Sequence, residues 1–274
     1  MQRLTIRHET HYSYERPVAF TEHRLLLRPR DGHSLNLIEA SLVVSPPGEV
    51  RWIYDALGNC VCLFTPRSQA RTLTITSTMT VDRYPAYVEL PLDNPHSALP
   101  MVYSPEDRPV LAPFVQPVTE DHPGVNLSWL RQYMHDPAET ALDVIKRLNE
   151  AIHSEFTYGA RYEEGVQHPA DTIRMKSGTC RDFAWLMVET LRRMGFAARF
   201  ITGYLYSARA ELRGTGATHA WCEVFLPHLG WIELDPTNGL IESPDLIPIA
   251  VTRTPAEAAP ISGAIIGSPG QSHM

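Results

Sequence analysis

Two incompatible hydrophobic periods share this chain, and a proline-rich stretch separates them. From residue 4 to residue 84 polar and apolar side chains alternate in LTIRHETHYSY, HRLLLRPR, LNLIEASLVVS, VRWIYDALGNCVCLF and RTLTITSTMTVDRY. A period of two places the apolar set on one face of a strand, whereas a helix would scatter it around its surface. Several short runs of this kind predict an antiparallel β-sandwich over residues 1–85. PPGE at 46–49 and LGN at 57–59 fall between the runs, where Gly and Asn can supply positive φ for turns.

Nine prolines lie between residues 85 and 127. Proline lacks the N–H that a helix interior or a central strand requires, so residues 86–127 read as an extended linker. A helical period follows: ETALDVIKRLNEAIHSEF puts Leu142, Ile145, Leu148, Ile152 and Phe156 on one face. SGTCRDFAWLMVETLRRMG, residues 177–195, is a second helix with Phe183, Leu186, Met187, Leu191 and Met194 as its apolar face. Gly195 is placed to end it in a left-handed C′ conformation. The stretches AARFITGYLYS, THAWCEVFLP and WIELDP are strand-like, so residues 128–240 should form an α+β domain. The tail, 241–274, has one more apolar run, DLIPIAVT, and then turns to Pro, Gly, Ala and Ser. It is expected to pack back with a loosely held end. The fold class is α+β: an N-terminal sandwich followed by a mixed core.

Composition narrows the functions open to such a chain. Twenty-four basic against 31 acidic residues give a formal charge of −7, with no Lys/Arg-rich run, which disfavours nucleic acid. No segment approaches the ~18 uninterrupted apolar residues of a membrane span, and MQRLTIRHETHYSY lacks the apolar core of a secretory signal. A cytoplasmic protein without membrane attachment is the expectation. Four cysteines are too few for a disulfide scaffold, so each is packing, ligand or nucleophile.

Cys180 is the cysteine with chemistry around it. Thr179 suits the N-cap and Asp182 can reach back to the Thr179 amide, which places Cys180 in the first helical turn. Free N–H groups and the positive end of the helix dipole there favour a thiolate, and Gly178 leaves room beside the sulfur. Alone, such a cysteine is more often core packing. With the turn of THAWCEVFLPHLGWIELDP centred on Pro227, antiparallel pairing sets His219 directly opposite Asp235 on one face of a hairpin. A carboxylate there would orient the imidazole and favour its protonated form. A core histidine and a turn-capping aspartate are the simpler readings taken singly; it is the combination that points to nucleophilic catalysis.

The remaining candidates are weaker. Cys60 and Cys62 face the same way on a strand and read as packing rather than metal ligands, because no second ligand pair stands at suitable spacing. Cys222 should face away from His219, into the core. Trp185, Trp221 and Trp231 flank the site, and Trp185 and Trp221 are candidates to line a substrate groove, although packing is the commoner role. His8, His11 and His23 are expected to be strand-surface or backbone-bonded. Arg161, Glu163 and Glu164 sit in the loop before the Cys180 helix.

GTCRDFAWLMVETLRRMGFAARFITGYL, THAWCEVFLPHLGWIELDPTNG and their spacing resemble the core of the transglutaminase-like superfamily, whose members share a papain-like Cys-His-Asp arrangement. LTIRHETHYSYERPVAFTEHRLLLRPR with DALGNCV resembles the β domain that precedes this core in many bacterial members. The resemblance implies Cys180 as nucleophile, His219 as general base and acid, and Asp235 as the orienting carboxylate. It also requires an oxyanion hole: the Cys180 N–H is one donor, and Tyr158 in SEFTYG is the nearby candidate for the second, which the eukaryotic enzymes supply with a tryptophan at a different distance from the cysteine. The expected activity is acyl transfer on a peptide or isopeptide amide by hydrolysis, deamidation or transamidation, with no cofactor or metal and a peptide or protein as substrate. Two other functions remain open: a non-catalytic interaction module, and a zinc site built on Cys180, His219 and Asp235.

Overall fold

A computed structural model describes residues 1–84, 101–121, 124–134, 139–161, 163, 165–206, 212–268 and 270–273. The chain divides into two compact units. The first comprises Met1–Pro85, Ile247–Ala250 and Ala259–Met274, and the second Ala86–Leu246 with Val251–Ala258.

The first unit is built from β1 (Gln2–Phe20), β2 (His23–Arg28), β3 (Leu35–Ser45), β4 (Gly48–Tyr54), β5 (Cys60–Pro66) and β6 (Ala70–Arg83). One antiparallel sheet has β6 between β1 and β3, and the other has β5 between β2 and β4. The alternation is visible in β6, where Leu73, Ile75, Ser77, Met79 and Val81 are all buried. Leu73 and Ile75 join Leu25, Cys62 and Phe64 in the apolar core of the sandwich. Each such side chain contributes roughly 1.5–3 kcal/mol by burial. Of the two turn glycines, Gly58 has φ +75 as expected. Gly48 instead serves close approach: a Cβ there would lie 2.3 Å from the Thr65 carbonyl oxygen.

The tail departs from its expected looseness. Its short strands Ile261–Ser262 and Ser272–His273 pair with β2 and β1, Ser272 opposite Tyr14 and His273 opposite Ser13. Backbone pairing to an otherwise open strand holds a segment whose side chains alone would not.

In the second unit the described elements are α1 (Asp107–Val115), α2 (Val125–Leu130), α3 (Ala141–Glu155), β7 (Thr157–Tyr158), α4 (Pro169–Met175), β8 (Ser177–Gly178), α5 (Cys180–Arg193), β9 (Ala198–Leu205), β10 (Thr218–Leu226), β11 (Gly230–Asp235) and β12 (Leu240–Ile241). Strands β12, β11, β10 and β9 are antiparallel neighbours in that order. Leu142, Ile145, Leu148, Ile152 and Phe156 are buried as their spacing requires, and they share one core with Phe183, Leu186, Met187 and Leu191 of α5. Gly195 follows α5 with φ +87.

The linker reading needs correcting. Residues 86–100 lie outside the described residues, but Asp107–Val115 is a helix with Pro113 inside it. Pro109 sits in the first turn, where a backbone N–H would have no intrahelical acceptor, so its lack of one costs nothing, and the bond missing at Pro113 is the one that would return to Pro109. One lost bond is tolerated because Leu111 and Phe114 are buried and the Phe114 carbonyl accepts from Arg192 Nε at 3.0 Å. Among the described residues, no helix is long and apolar enough to cross a membrane.

Candidate active site

Cys180 opens α5, 8% exposed, and its placement depends on a carboxylate two residues on, in the same turn. Asp182 is completely buried and accepts from the Thr179 N–H at 2.8 Å, the Thr179 hydroxyl at 2.9 Å and the Gln167 N–H at 2.7 Å. Arg161 adds an ion pair at 3.2 Å and also donates to the Gly165 carbonyl. Burial would raise the Asp182 pKa, but donors from Gln167, Thr179 and Arg161 outweigh it and hold the carboxyl below its ordinary value. Arg161 therefore ties its loop to the helix start. Glu163 lies 3.7 Å from Arg161, while Glu164 is outside the described residues.

Gly178 does not leave open space, contrary to the expectation. A Cβ on it would meet Asp182 Cβ at 2.9 Å, Gln167 Nε2 at 3.0 Å and Phe183 Cε1 at 3.1 Å. Its smallness lets β8 lie flat against this cluster. β8 in turn pairs in parallel with β7, Tyr158 aligned with Gly178, and Gly159 N–H donates to the Gly178 carbonyl at 3.0 Å. That pairing carries Tyr158 to the neighbourhood of the cysteine. Burial raises the Tyr158 pKa, and negative charge at Cys180 and Asp235 adds to the rise while Arg213 opposes it. The phenol thus keeps its proton at neutral pH and remains a donor.

His219 and Asp235 are joined, though not in the expected register. Leu226 pairs with Gly230 and Cys222 with Leu234, so the turn centres on His228, with φ +67, rather than on Pro227. In that register Asp235 falls across from Trp221, two residues from His219. A two-residue offset preserves the face of the pleat, and a diagonal pair is within reach of a ring and a carboxylate. His219 Nε2–H donates to Asp235 Oδ2 at 2.9 Å, with both side chains buried. Burial alone would lower the His219 pKa; the bond to Asp235 and the neighbouring Cys180 prevail and push it up to about 10. The other ring nitrogen, Nδ1, is buried without an aligned hydrogen-bond partner. Asp235 occupies one edge of the ring, and the edge bearing Nδ1 borders Gly214, which also lies near the Tyr158 hydroxyl. A zinc ion needs ligands that converge on one point, which suits this ring poorly.

The tryptophans do not line a groove. Trp185 is 4% exposed within the core, with the Arg192 guanidinium 5.5 Å from its ring centroid. Trp221 is fully buried and stacks on His219, ring centroids 5.9 Å apart and planes 26° from parallel. Its Nε1–H donates to Glu233 at 3.3 Å, so it backs the imidazole and fixes its plane. Trp231 packs on Phe114, Phe225 and Arg199. An apolar ring on a strand in a two-layer fold is drawn inward unless a cleft opens above it.

Cys222 is buried on the opposite face, 3.5 Å from the Leu234 carbonyl oxygen, and Cys60 and Cys62 are buried in the first unit. Burial raises the thiol pKa of all three, Cys62 to about 11. His8 and His11 contact Thr10 and Thr74, and His23 contacts the Thr21 carbonyl.

Sequence reasoning overlooked the segment after Asp235. Thr237 N–H donates to Asp235 Oδ1 at 3.0 Å, and Asn238 Nδ2 donates to Asp235 Oδ2 at 2.8 Å. The signal available was Asp-Pro-Thr-Asn, in which a carboxylate bonding the N–H two residues on is the usual aspartate turn.

A cysteine at a helix start, facing a His–Asp pair on neighbouring antiparallel strands, is the architecture of the cysteine-dependent acyl-transfer and peptidase families. Residues 129–236 match the transglutaminase-like superfamily and residues 4–82 the bacterial transglutaminase-like N-terminal region, so the chain belongs to the transglutaminase-like superfamily. An uncharacterized protein of Mycobacterium tuberculosis is 28% identical over 96% of this chain and 87% of its own length. A protein-glutamine gamma-glutamyltransferase of Pseudomonas aeruginosa is 30% identical over 39% of this chain and 17% of its own length. The crystal structure of a candidate cysteine protease from Cytophaga hutchinsonii shares the fold, with TM-score 0.74 and 23% identity over 99% of this chain and 88% of that one.

Proposed function

We propose that this chain is an enzyme that transfers the acyl group of a peptide or isopeptide amide through a thioester on Cys180. The observation that carries the reading is His219: one nitrogen is held by Asp235, the ring charge is favoured by Asp235 and Cys180, and Nδ1 has no aligned partner. A buried nitrogen without a partner costs about 1–3 kcal/mol, a cost retained where the atom has work to do. An imidazolium there stabilises negative sulfur in the first turn of α5, where the helix dipole acts in the same sense.

Cys180 Sγ bonds to the carbonyl carbon, and the oxyanion accepts from the Cys180 N–H and, in our assignment, from the Tyr158 hydroxyl. As the C–N bond breaks, the Nδ1 proton of His219 passes to the departing amine. Water entering next loses its proton to Nδ1 and releases the acid, and sulfur departs as thiolate, which restores the thiolate–imidazolium pair; an amine in place of water gives the transamidated product. Hydrolysis is favoured, since no dedicated amine site is recognisable beside Cys180 in the sequence.

Mass spectrometry of the protein acid-quenched with mixtures of glutamine-containing and isopeptide-linked peptides tests this. A covalent acyl adduct on Cys180, absent in Cys180→Ala, is expected. The reading fails if Cys180→Ala retains turnover, or if no adduct forms and Cys180 alkylates no faster than Cys60, Cys62 or Cys222.

A further inference from the structure

Asn238 touches neither Cys180 nor the ring of His219 among its hydrogen bonds, yet it joins the two sides of the site. Its Nδ2 donates to Asp235 Oδ2, the oxygen that also receives His219, at 2.8 Å. The same amide clamps one residue's backbone from both ends: Arg213 N–H donates to Asn238 Oδ1 at 2.8 Å, and Asn238 Nδ2 donates to the Arg213 carbonyl at 3.2 Å. The next residue, Gly214, has φ +89, and a Cβ on it would stand 2.8 Å from His219 Nδ1 and 3.6 Å from the Tyr158 hydroxyl. A single side chain therefore fixes the carboxylate at one edge of the imidazole and the backbone wall at the other.

We infer that Asn238 is a positioning residue for acyl transfer, holding Asp235 at one edge of the His219 ring and the Arg213–Gly214 backbone at the other. The inference rests on the Cys180–His219 reading above. Gly214 is what permits this close approach: any side chain would crowd Nδ1, at a φ that L-residues rarely adopt. Arg213 supports the clamp from outside, its Nη1 donating to the His153 carbonyl at 3.3 Å and to the Thr237 carbonyl at 3.4 Å. Without the Asn238 amide, Asp235 retains Thr237 and His219 as donors, and the Gly214 wall is tied to it only through the longer contact of Arg213 Nη1 with the Thr237 carbonyl. The ring then gains freedom to swing from the sulfur, and the thiolate–imidazolium pair weakens.

The test is the rate of Cys180 alkylation by iodoacetamide between pH 5 and 10 in the full chain, followed by peptide mass spectrometry. In wild type, Cys180 should alkylate faster near pH 6 than Cys60, Cys62 or Cys222. Asn238→Ala should move the profile upward, giving about tenfold slower alkylation near pH 6 and rates that converge with wild type above about pH 9.5. Unfolding would itself turn Cys180 into an ordinary thiol, so the profile is read on protein that circular dichroism shows to be folded at each pH; uniform scaling, or an unchanged profile, in folded Asn238→Ala overturns the inference. Gly214→Ala, on a half-buried turn with Asn238 intact, is the second variant, expected to slow alkylation near pH 6 by a similar factor; wild-type rates there would also overturn it. A wild-type protein whose Cys180 reacts as an ordinary thiol defeats the Cys180–His219 reading itself, and is distinguishable because it appears before any substitution is made.

Discussion

Asp182 and Asp235 are both completely buried aspartates at the ends of elements that bear the site, and they do opposite things. Asp182 collects donors from Thr179, Gln167 and Arg161, all of which are satisfied, and the result is a closed knot that fastens a loop to the start of α5. Asp235 collects Thr237, Asn238 and His219, but its network ends on a nitrogen left open toward the cysteine. A closed buried network stabilises. One that ends on an orphan gives up some stability and keeps a group available for chemistry.

The largest effect that would sharpen this contrast is at Asp235. Asp235→Asn preserves shape but offers the wrong partner to Nε2–H, and turnover of an acyl substrate should fall by about 10⁴-fold with a small change in melting temperature. At Asp182 the order should reverse. Asp182→Ala leaves Arg161 and the Thr179 and Gln167 amides without their acceptor, and should cost roughly 3 kcal/mol or more in urea unfolding at pH 7. Because the folded-state pKa of Asp182 is lowered, its contribution is present above the ordinary carboxylate range and is lost as pH falls through the depressed value. If Asp182→Ala destroyed turnover without loss of stability, the contrast between the two carboxylates would be wrong.

Tyr158→Phe removes one assigned oxyanion donor and should lower kcat by about 10²-fold with KM little changed. A change confined to KM would break that assignment. The smallest effect concerns pH. The His219 pKa is raised from 6.5 to about 10, so the stabilisation from its charged form is complete below 6.5 and declines as pH rises through about 10. Urea midpoints of wild type should decline over that interval, and His219→Gln should show a flatter slope. Equal slopes would show that the ring is not charged in the folded protein.

Much of this was legible from residue types alone. Period two over residues 4–84 predicted the strands, and the spacing of Leu142, Ile145, Leu148, Ile152 and Phe156 predicted α3, because burial of one face depends on local geometry. Cys180 at a helix start could be read from Thr179 and Asp182, and Asp182 does cap that helix. The errors have a common origin. Whether Trp185 lines a cleft or a core, whether prolines at 109 and 113 forbid a helix, and whether the tail is held are decided by what packs against them, which lies far away in sequence. The register of β10 and β11 was missed by two residues because it depended on which residue of the turn took positive φ.

The sequence by itself determined the two periods, the helix that presents Cys180, and a histidine and an aspartate on one face of neighbouring strands, since these follow from spacing along a regular backbone. Only the tertiary structure decided which His219 nitrogen faces Asp235, that Trp221 backs the ring, that Gly214 borders Nδ1, and that Asn238 joins Asp235 to residue 213. The reason is physical. Local periodicity fixes the face on which a side chain lies, but its partners are fixed by chain closure between segments that no local rule connects.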